Sequence, residues 1–298
     1  MRIVFPGLCF ALIAVAIDPT RAALVATDGF ESYAAGSQLE SGADGSPGTG
    51  LSGGSGFTGA YETDDLNKSH AVIAAQGLSY NAGSVQINGG ANAASITGAI
   101  TISTDFLARS FPAQSDTLYL SFLLRGTQTS PDEDFLQIGF SSSATGEPPI
   151  AAGIAGAVAN TLPDQFFIRM PALTANQTLL PSPTFALDTT YLMVVKVSKV
   201  GSGNFNQLDF FLNPTTLTEP GAATLTRFAD SGVPTATNFR MRVARLDVGD
   251  SYLVDEVKIG TAYADVVVPE PSLAMAGASG ALVFSLFSRR RQGQQERL

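Results

Sequence analysis

A chain of 298 residues with 26 acidic and 17 basic side chains carries a formal charge of −9, with one histidine and one cysteine. That balance excludes nucleic acid as a partner, because phosphates call for clustered Lys and Arg, and a single histidine excludes a metal centre built on imidazoles. Thr, Val, Ile and Phe, punctuated by 30 glycines and 16 prolines, favour short strands and turns over helices.

Met1 to Ala22 reads as a secretory signal peptide. Arg2 supplies the positive start, Ile3 to Ile17 the apolar run, and Thr20-Arg21-Ala22 the small residues before a cleavage site between Ala22 and Ala23. Cys9 leaves with the signal, so the exported chain has neither a disulfide nor thiol chemistry. Residues 23–267 suffice for one β-rich domain. Counted over 23–268, the exported part holds 11 basic and 23 acidic residues, a formal −12.

Thr27-Asp28-Gly29-Phe30-Glu31-Ser32-Tyr33 opens this domain, with Phe30 and Tyr33 expected inside. Gly36 to Gly59 is rich in Gly and Ser and reads as a long loop. Within it Gly48 to Gly53 matches G-x-G-x-x-G and Gly50 to Gly54 matches G-x-S-x-G. Neither has the strand before it or the helix after it that its chemistry needs, and His70 is the sole histidine, so both matches are accidents of composition.

Strands are expected over Ala71–Gln76, Ser84–Ile87 and Ser95–Ile102, and the apolar run Thr117–Arg125 reads as a central strand buried on both faces. Asp132-Glu133-Asp134 marks a turn before a strand at Phe135–Phe140. A Gly/Ala segment that packs tightly or loops out then leads to a strand at Phe166–Met170. Thr190–Lys199, a turn at Gly201–Asn204 and Asn206–Leu212 form a hairpin. Phe239–Ala244 alternates apolar and cationic residues, as a half-exposed strand would, and Tyr252–Thr261 closes the domain. No repeat of 20–50 residues is visible. A dozen or so short strands point to two packed antiparallel sheets, with Phe30, Leu120, Phe122, Phe140, Val195, Phe210 and Val257 in the core.

The C-terminus has three parts in order. Val268-Pro269-Glu270-Pro271 breaks regular structure, Leu273 to Phe287 is apolar and uncharged, and Arg289-Arg290-Arg291 is a cationic stop. A helix over 273–287 would be roughly 22 Å long, enough to span a thinned bilayer, with the arginines and residues 292–298 on the cytoplasmic side. This arrangement resembles the PEP-CTERM sorting signal over 268–291. The resemblance implies an exported protein whose tail is recognised and processed by a membrane peptidase, an exosortase, and which the C-terminal helix holds in the membrane before processing.

A second resemblance rests on Asp28-Gly29-Phe30-Glu31-Ser32-Tyr33 at the start and Val254-Asp255-Glu256-Val257-Lys258-Ile259-Gly260-Thr261 with Tyr263-Ala264-Asp265-Val266 at the end. These look like the concanavalin A-like (laminin G-like) jelly rolls, which implies that first and last strands pair in one sheet. It also implies a sugar-binding or structural module, only sometimes a glycosidase. The catalytic branch of that fold carries Glu-x-Asp-x-x-Glu or a similar run on one strand, and none occurs here. Asp132-Glu133-Asp134 lies in a turn, and adjacent Asp255 and Glu256 would point to opposite faces of a strand. Calcium asks only for oxygen ligands, and Asp28, Asp132, Asp134 and Asp255 are its candidates, with Asp247 and Asp250 nearby in sequence.

These readings expect an exported, non-catalytic cell-surface or extracellular-matrix protein, associated with exopolysaccharide or biofilm. A lectin-like module binding polysaccharide, calcium-assisted or not, is the alternative, and a glycoside hydrolase stands behind both. The absence of Trp weighs against the lectin, since sugar binding exploits flat aromatic surfaces.

Overall fold

A computed structural model describes residues 23–40, 50–63, 71–97, 105–128, 135–155, 164–171, 177–246 and 249–268. The expected signal peptide, His70, Asp132, Asp134, Asp247, and the expected sorting signal from Pro269 onward with its expected helix lie outside the described residues.

In chain order the strands are β1 (Leu24–Asp28), β2 (Ala71–Ala74), β3 (Ser79–Ala82), β4 (Val85–Asn88), β5 (Ala93–Thr97), β6 (Asp105–Gln114), β7 (Leu118–Gln128) and β8 (Phe135–Ser141). They continue with β9 (Ile150–Ala155), β10 (Gln165–Arg169), β11 (Gln177–Thr184), β12 (Tyr191–Ser198), β13 (Gln207–Leu212), β14 (Leu225–Phe228), β15 (Ala236–Ala244) and β16 (Ser251–Gly260). One short helix, α1 (Tyr263–Val267), follows.

Two antiparallel sheets pack as a β-sandwich of the jelly-roll kind. The larger runs β14-β13-β12-β7-β16-β5-β2, with β1 also paired to β16, and the smaller runs β11-β10-β9-β8-β15-β6. First and last strands pair as expected, Asp28 opposite Val257. Between the sheets lies one apolar core that holds all seven residues expected there, from Phe30 to Val257, each buried.

The larger sheet is covered on its other face too. The β3–β4 hairpin and α1 pack Leu78, Tyr80, Val85, Ile87, Tyr263 and Val266 against Tyr119, Leu123, Leu192, Val194 and Phe211. That second layer is why β7 and β12 read as unbroken apolar runs rather than as alternating ones. The outer face of the smaller sheet carries Arg, Gln and Phe instead, of which Gln137, Phe167, Arg169 and Arg240 are buried.

Apart from β1, whose pairing the resemblance implies, five strands were not expected from the sequence: β3, β6, β9, β11 and β14. Pro112 sits in β6 and Pro181 and Pro183 in β11, and these form the two edges of the smaller sheet, where a missing N–H donor is tolerated. The Gly/Ala segment is strand β9, and β14 is a four-residue edge. The half-exposed reading of Phe239–Ala244 is corrected: Arg240 is completely buried, because other chain segments lie over the cationic side of β15.

The opposite-face reading of Asp255 and Glu256 is corrected as well. Glu256 is an extra residue at φ 50°, and the register of β16 against β7 slips between Asp255 and Lys258. Val254 and Val257 thereby both enter the core, while Glu256 turns aside to Lys258, Oε2 to Nζ 2.9 Å.

Asp255 itself lies wholly buried beneath the hairpin and accepts from the N–H groups of Leu78 (2.8 Å) and Glu256 (2.7 Å). Burial pushes its carboxyl up to about 8; the two N–H donors hold it back, and the carboxylates of Glu256 and Glu31 add to the rise. The folded chain therefore binds this proton more tightly than the unfolded chain, so the group's contribution to stability is greatest below about pH 4. It is lost as pH rises towards about 8 and level above that. Asp255→Asn is expected to flatten the fall in melting temperature between pH 5 and 8, measured against the parent by thermal denaturation. An unchanged slope would contradict this account.

Candidate functional site

From Gly50 onward, the described part of the Gly-rich stretch is tied by its backbone to β1 and β6. Ser55 exchanges both backbone hydrogen bonds with Thr27 of β1, while Thr58 and Glu62 bond Ser110 and Ala108 of β6, so the segment closes the sandwich edge between the sheets. A Cβ at Gly54 would meet the Thr27 carbonyl, and one at Gly53 the side chains of Ser32 and Tyr33, which is why glycine recurs here.

Behind this segment Asp28 and Arg109 form a buried ion pair joining the sheets. Asp28 also accepts from Phe30 N (3.0 Å) and from the hydroxyls of Tyr33 (2.7 Å) and Tyr61 (3.2 Å). Arg109 donates to the carbonyls of Gly53 and Gly59 and lies over the Phe57 ring at 4.2 Å. Burial pushes both phenols well above their ordinary range, with the Asp28 charge adding to it. The Asp28 carboxylate is thus engaged by a guanidinium where calcium was weighed.

A cleft of about 300 Å³ lined by Thr27–Ser32, Gly54, Ser55 and Glu256 lies alongside. Its carboxylates are already engaged: Glu31 accepts from Ala91 N and Asn92 N at 2.8 and 2.7 Å, and Glu256 pairs with Lys258. Asp28 and Asp255 belong to separate networks. Among the described residues no group of three or more His, Cys, Asp or Glu is placed to hold a metal ion.

The outer face of the smaller sheet is different in kind. Leu136, Ile138 and Phe140 of β8 point into the core, so Gln137 and Gly139 point out, and the ladder register extends this face across five neighbours. One row runs Phe106, Arg242, Gln137, Gly153, Phe167 and Leu179; the next runs Ala108, Arg240, Gly139, Ala151, Arg169 and Gln177. The middle strands contribute only Gly and Ala beside Gln137, leaving a floor between cationic and aromatic banks.

Guanidinium groups and rings interleave on those banks. Arg242 lies between Phe106 and Phe135, 5.3 and 4.6 Å from their centroids, and Arg169 between Phe135 and Phe167 at 5.9 and 5.3 Å. Arg240 lies 5.5 Å from Phe106. Such contacts stabilise a cation that has lost part of its water. The β8–β9 connection folds over this face, its Gly146 carbonyl accepting from Arg240. The next residue, Glu147, places Oε1 2.8 Å from Arg242 and Oε2 3.8 Å from Arg169. Burial lowers the basicity of Arg169, opposed by the Glu147 charge.

Three of the eleven basic residues between 23 and 268 thus share one face with one carboxylate among the described residues there. The Arg240/Arg242 alternation was visible in the sequence as a shared face. Arg169, Gln137 and Glu147 were not singled out, and nothing local announces them.

No family model matches this sequence, and no curated protein matches it. Solved structures similar to it in part include the exoplasmic/lumenal domain of VIP36 in a Ca2+/Man2-bound form, 8% identical over 72% of this chain and 84% of that one, at a TM-score of 0.43. An endo-β-1,4-glucuronan lyase from the fungus Trichoderma reesei is 14% identical over 69% of this chain and 96% of that one, TM-score 0.38. A sialidase is 14% identical over 61% of this chain, TM-score 0.39, and the match spans only 16% of the sialidase's own length. Likeness at this level says nothing about ligand or reaction.

Proposed function

We propose that this is an exported, non-catalytic protein of the cell surface or extracellular matrix, delivered by its C-terminal sorting signal, whose sandwich touches surface polysaccharide through the outer face of the smaller sheet. The observation that carries the reading is the contrast between the two outer faces. The larger sheet is sealed by an apolar layer, whereas the smaller one carries largely buried polar and aromatic side chains around a floor of Gly and Ala, with Glu147 of the β8–β9 connection outermost. A face built that way suits a flat, hydroxyl-rich chain. Calcium assistance remains part of the proposal.

Catalysis is disfavoured by where the proton-holding carboxyl lies. Asp255, raised to about 8, has the protonation a general acid needs, but it is sealed under the β3–β4 hairpin and held by two backbone N–H groups. No substrate oxygen can reach it without unfolding that layer.

A glycan array probed with the full chain, with and without calcium, tests the reading, followed by reducing-end assays on every hit. Binding in the ~10 µM to mM range without release of sugar is expected, as for a shallow face with few free aromatic anchors. Release of reducing sugar that stops on changing one Asp or Glu would overturn the non-catalytic reading. A blank array at high protein concentration would remove the polysaccharide contact. Intact-mass analysis of surface material is expected to lack residues 1–22 and the tail beyond about Pro271; the full-length chain in the cytoplasm would sink the sorting claim.

A further inference from the structure

We infer that the outer face of the smaller sheet is a seat for a carboxylate-bearing sugar, a uronate within an acidic polysaccharide, and that Glu147 occupies that seat as an internal competitor. The inference deepens the polysaccharide reading and rests on it.

The geometry points to a carboxylate first. Arg242 and Arg169 come from different strands, β15 and β10, and are bridged by the two oxygens of one carboxylate at 2.8 and 3.8 Å. A planar two-oxygen group between two guanidiniums is the arrangement that charge-assisted pairing favours. Glu147 supplies that group from a connection, not from the sheet. Its side chain is 36% exposed, whereas those of Arg169 and Arg242 are 5% and 12% exposed. The anionic partner is therefore the outermost and most readily displaced member of the cluster. Gly146, at φ +76° with open space around it, gives the connection a pivot beside Glu147.

The second observation is Gln137. It is fully buried, directly opposite Arg242 in the ladder, and neither its amide nitrogen nor its amide oxygen has a hydrogen-bond partner. The Arg169 Nε is also without one. A buried amide left this way costs free energy, and such a group beside the guanidinium cluster marks a place where a ligand would complete the bonding. Glu147 cannot complete it, because a carboxylate offers only acceptors. A uronate carries a carboxylate for the guanidiniums and hydroxyls that both donate and accept, and so satisfies Gln137 on both sides.

Displacing an internal competitor reduces apparent affinity by the fraction of molecules in which the seat is open. Glu147→Gln keeps the side chain's shape, removes the competing charge, and should tighten binding of an oligogalacturonate by about tenfold or more. The full chain and this variant would be titrated calorimetrically with oligogalacturonate, a neutral β-glucan oligomer and dextran sulfate, at low and high salt. Arg242→Gln, checked for folding by its melting temperature, should remove oligogalacturonate binding and leave the neutral oligomer unaffected. If it fails to fold, the Glu147→Gln comparison alone decides. Tighter oligogalacturonate binding by Glu147→Gln, weakened by salt, supports the inference. Equal or weaker binding by that variant overturns it, as does a preference for dextran sulfate over oligogalacturonate. Binding of the neutral oligomer alone sinks this inference and leaves the polysaccharide reading intact; no binding of any of the three sinks both.

Discussion

Replacing Asp28 by alanine is expected to lower the folding stability by about 3–5 kcal/mol, the loss typical of a buried ion pair that loses one partner. Arg109 shares the inward face of β6 with Leu107 and Phe111 and is 1% exposed, so its charge cannot turn to water when the carboxylate goes. The carbonyls of Gly53 and Gly59 would still accept from it, but no counter-charge would remain, and the hydroxyls of Tyr33 and Tyr61 would lose the acceptor they share. The double variant Asp28→Asn with Arg109→Met removes both charges while roughly keeping volume, and should recover most of the loss. Urea denaturation of the parent, Asp28→Asn, Arg109→Met and the double variant closes the cycle, with Asp28→Ala measured alongside. A loss below about 1 kcal/mol for Asp28→Ala would mean that the pair is not what joins the sheets here.

The same residue shows how far the sequence could be read. Asp28 beside Gly29 offers a turn carboxylate, and oxygen ligands in turns are what calcium takes. Its partner stands 81 residues later in a strand containing Pro112, which breaks the strand pattern, so neither β6 nor the direction of Arg109 could be foreseen. Pro181 and Pro183 hid β11 for the same reason, and β9, spelled Ile-Ala-Ala-Gly-Ile-Ala, lacks the bulk and β-branching that announce a strand.

What was legible is what burial dictates locally. Leu118–Leu124 reads as a two-face buried strand because both layers of the larger sheet press on it, and the β12–β13 hairpin reads from Gly201–Asn204 between two apolar runs. The bulge at Glu256 escaped because two valines three residues apart look like a lost alternation until one residue is lifted out of register. The outer face escaped for a different reason. Arg240 and Arg242 fix its position on β15, but Phe106, Phe135, Arg169 and Glu147 reach it through ladder pairing and a connection, and those are products of topology.

Gly139→Ala is the second large effect expected, about 3 kcal/mol of destabilisation or more, because the clash is with main chain and not with a yielding side chain. In β8 and β9 the backbones lie so that a Cβ on Gly139 would press on the Ile150 carbonyl and sit 2.8 Å from the Ala151 Cα. One on Gly153 would press on the Leu136 carbonyl and sit 2.9 Å from the Gln137 Cα. Each methyl would thus wedge apart two central strands of the smaller sheet at the pairs Gly139–Ala151 and Gln137–Gly153. The damage should reach the outer face as well, since the Gln137 amide is positioned by the ladder that the wedge opens. Gly203→Ala is the matched control: its surroundings are open, and the change should stay within about 1 kcal/mol of the parent in either direction. Denaturant titration of the three proteins measures the difference, and amide hydrogen exchange on β8 and β9 locates it. Faster exchange at Gln137 and Ala151 is expected in Gly139→Ala alone. If the alanine is instead accommodated at parental stability, the two strands are free to separate, and the Gly/Ala floor is adjustable where it is taken here to be fixed.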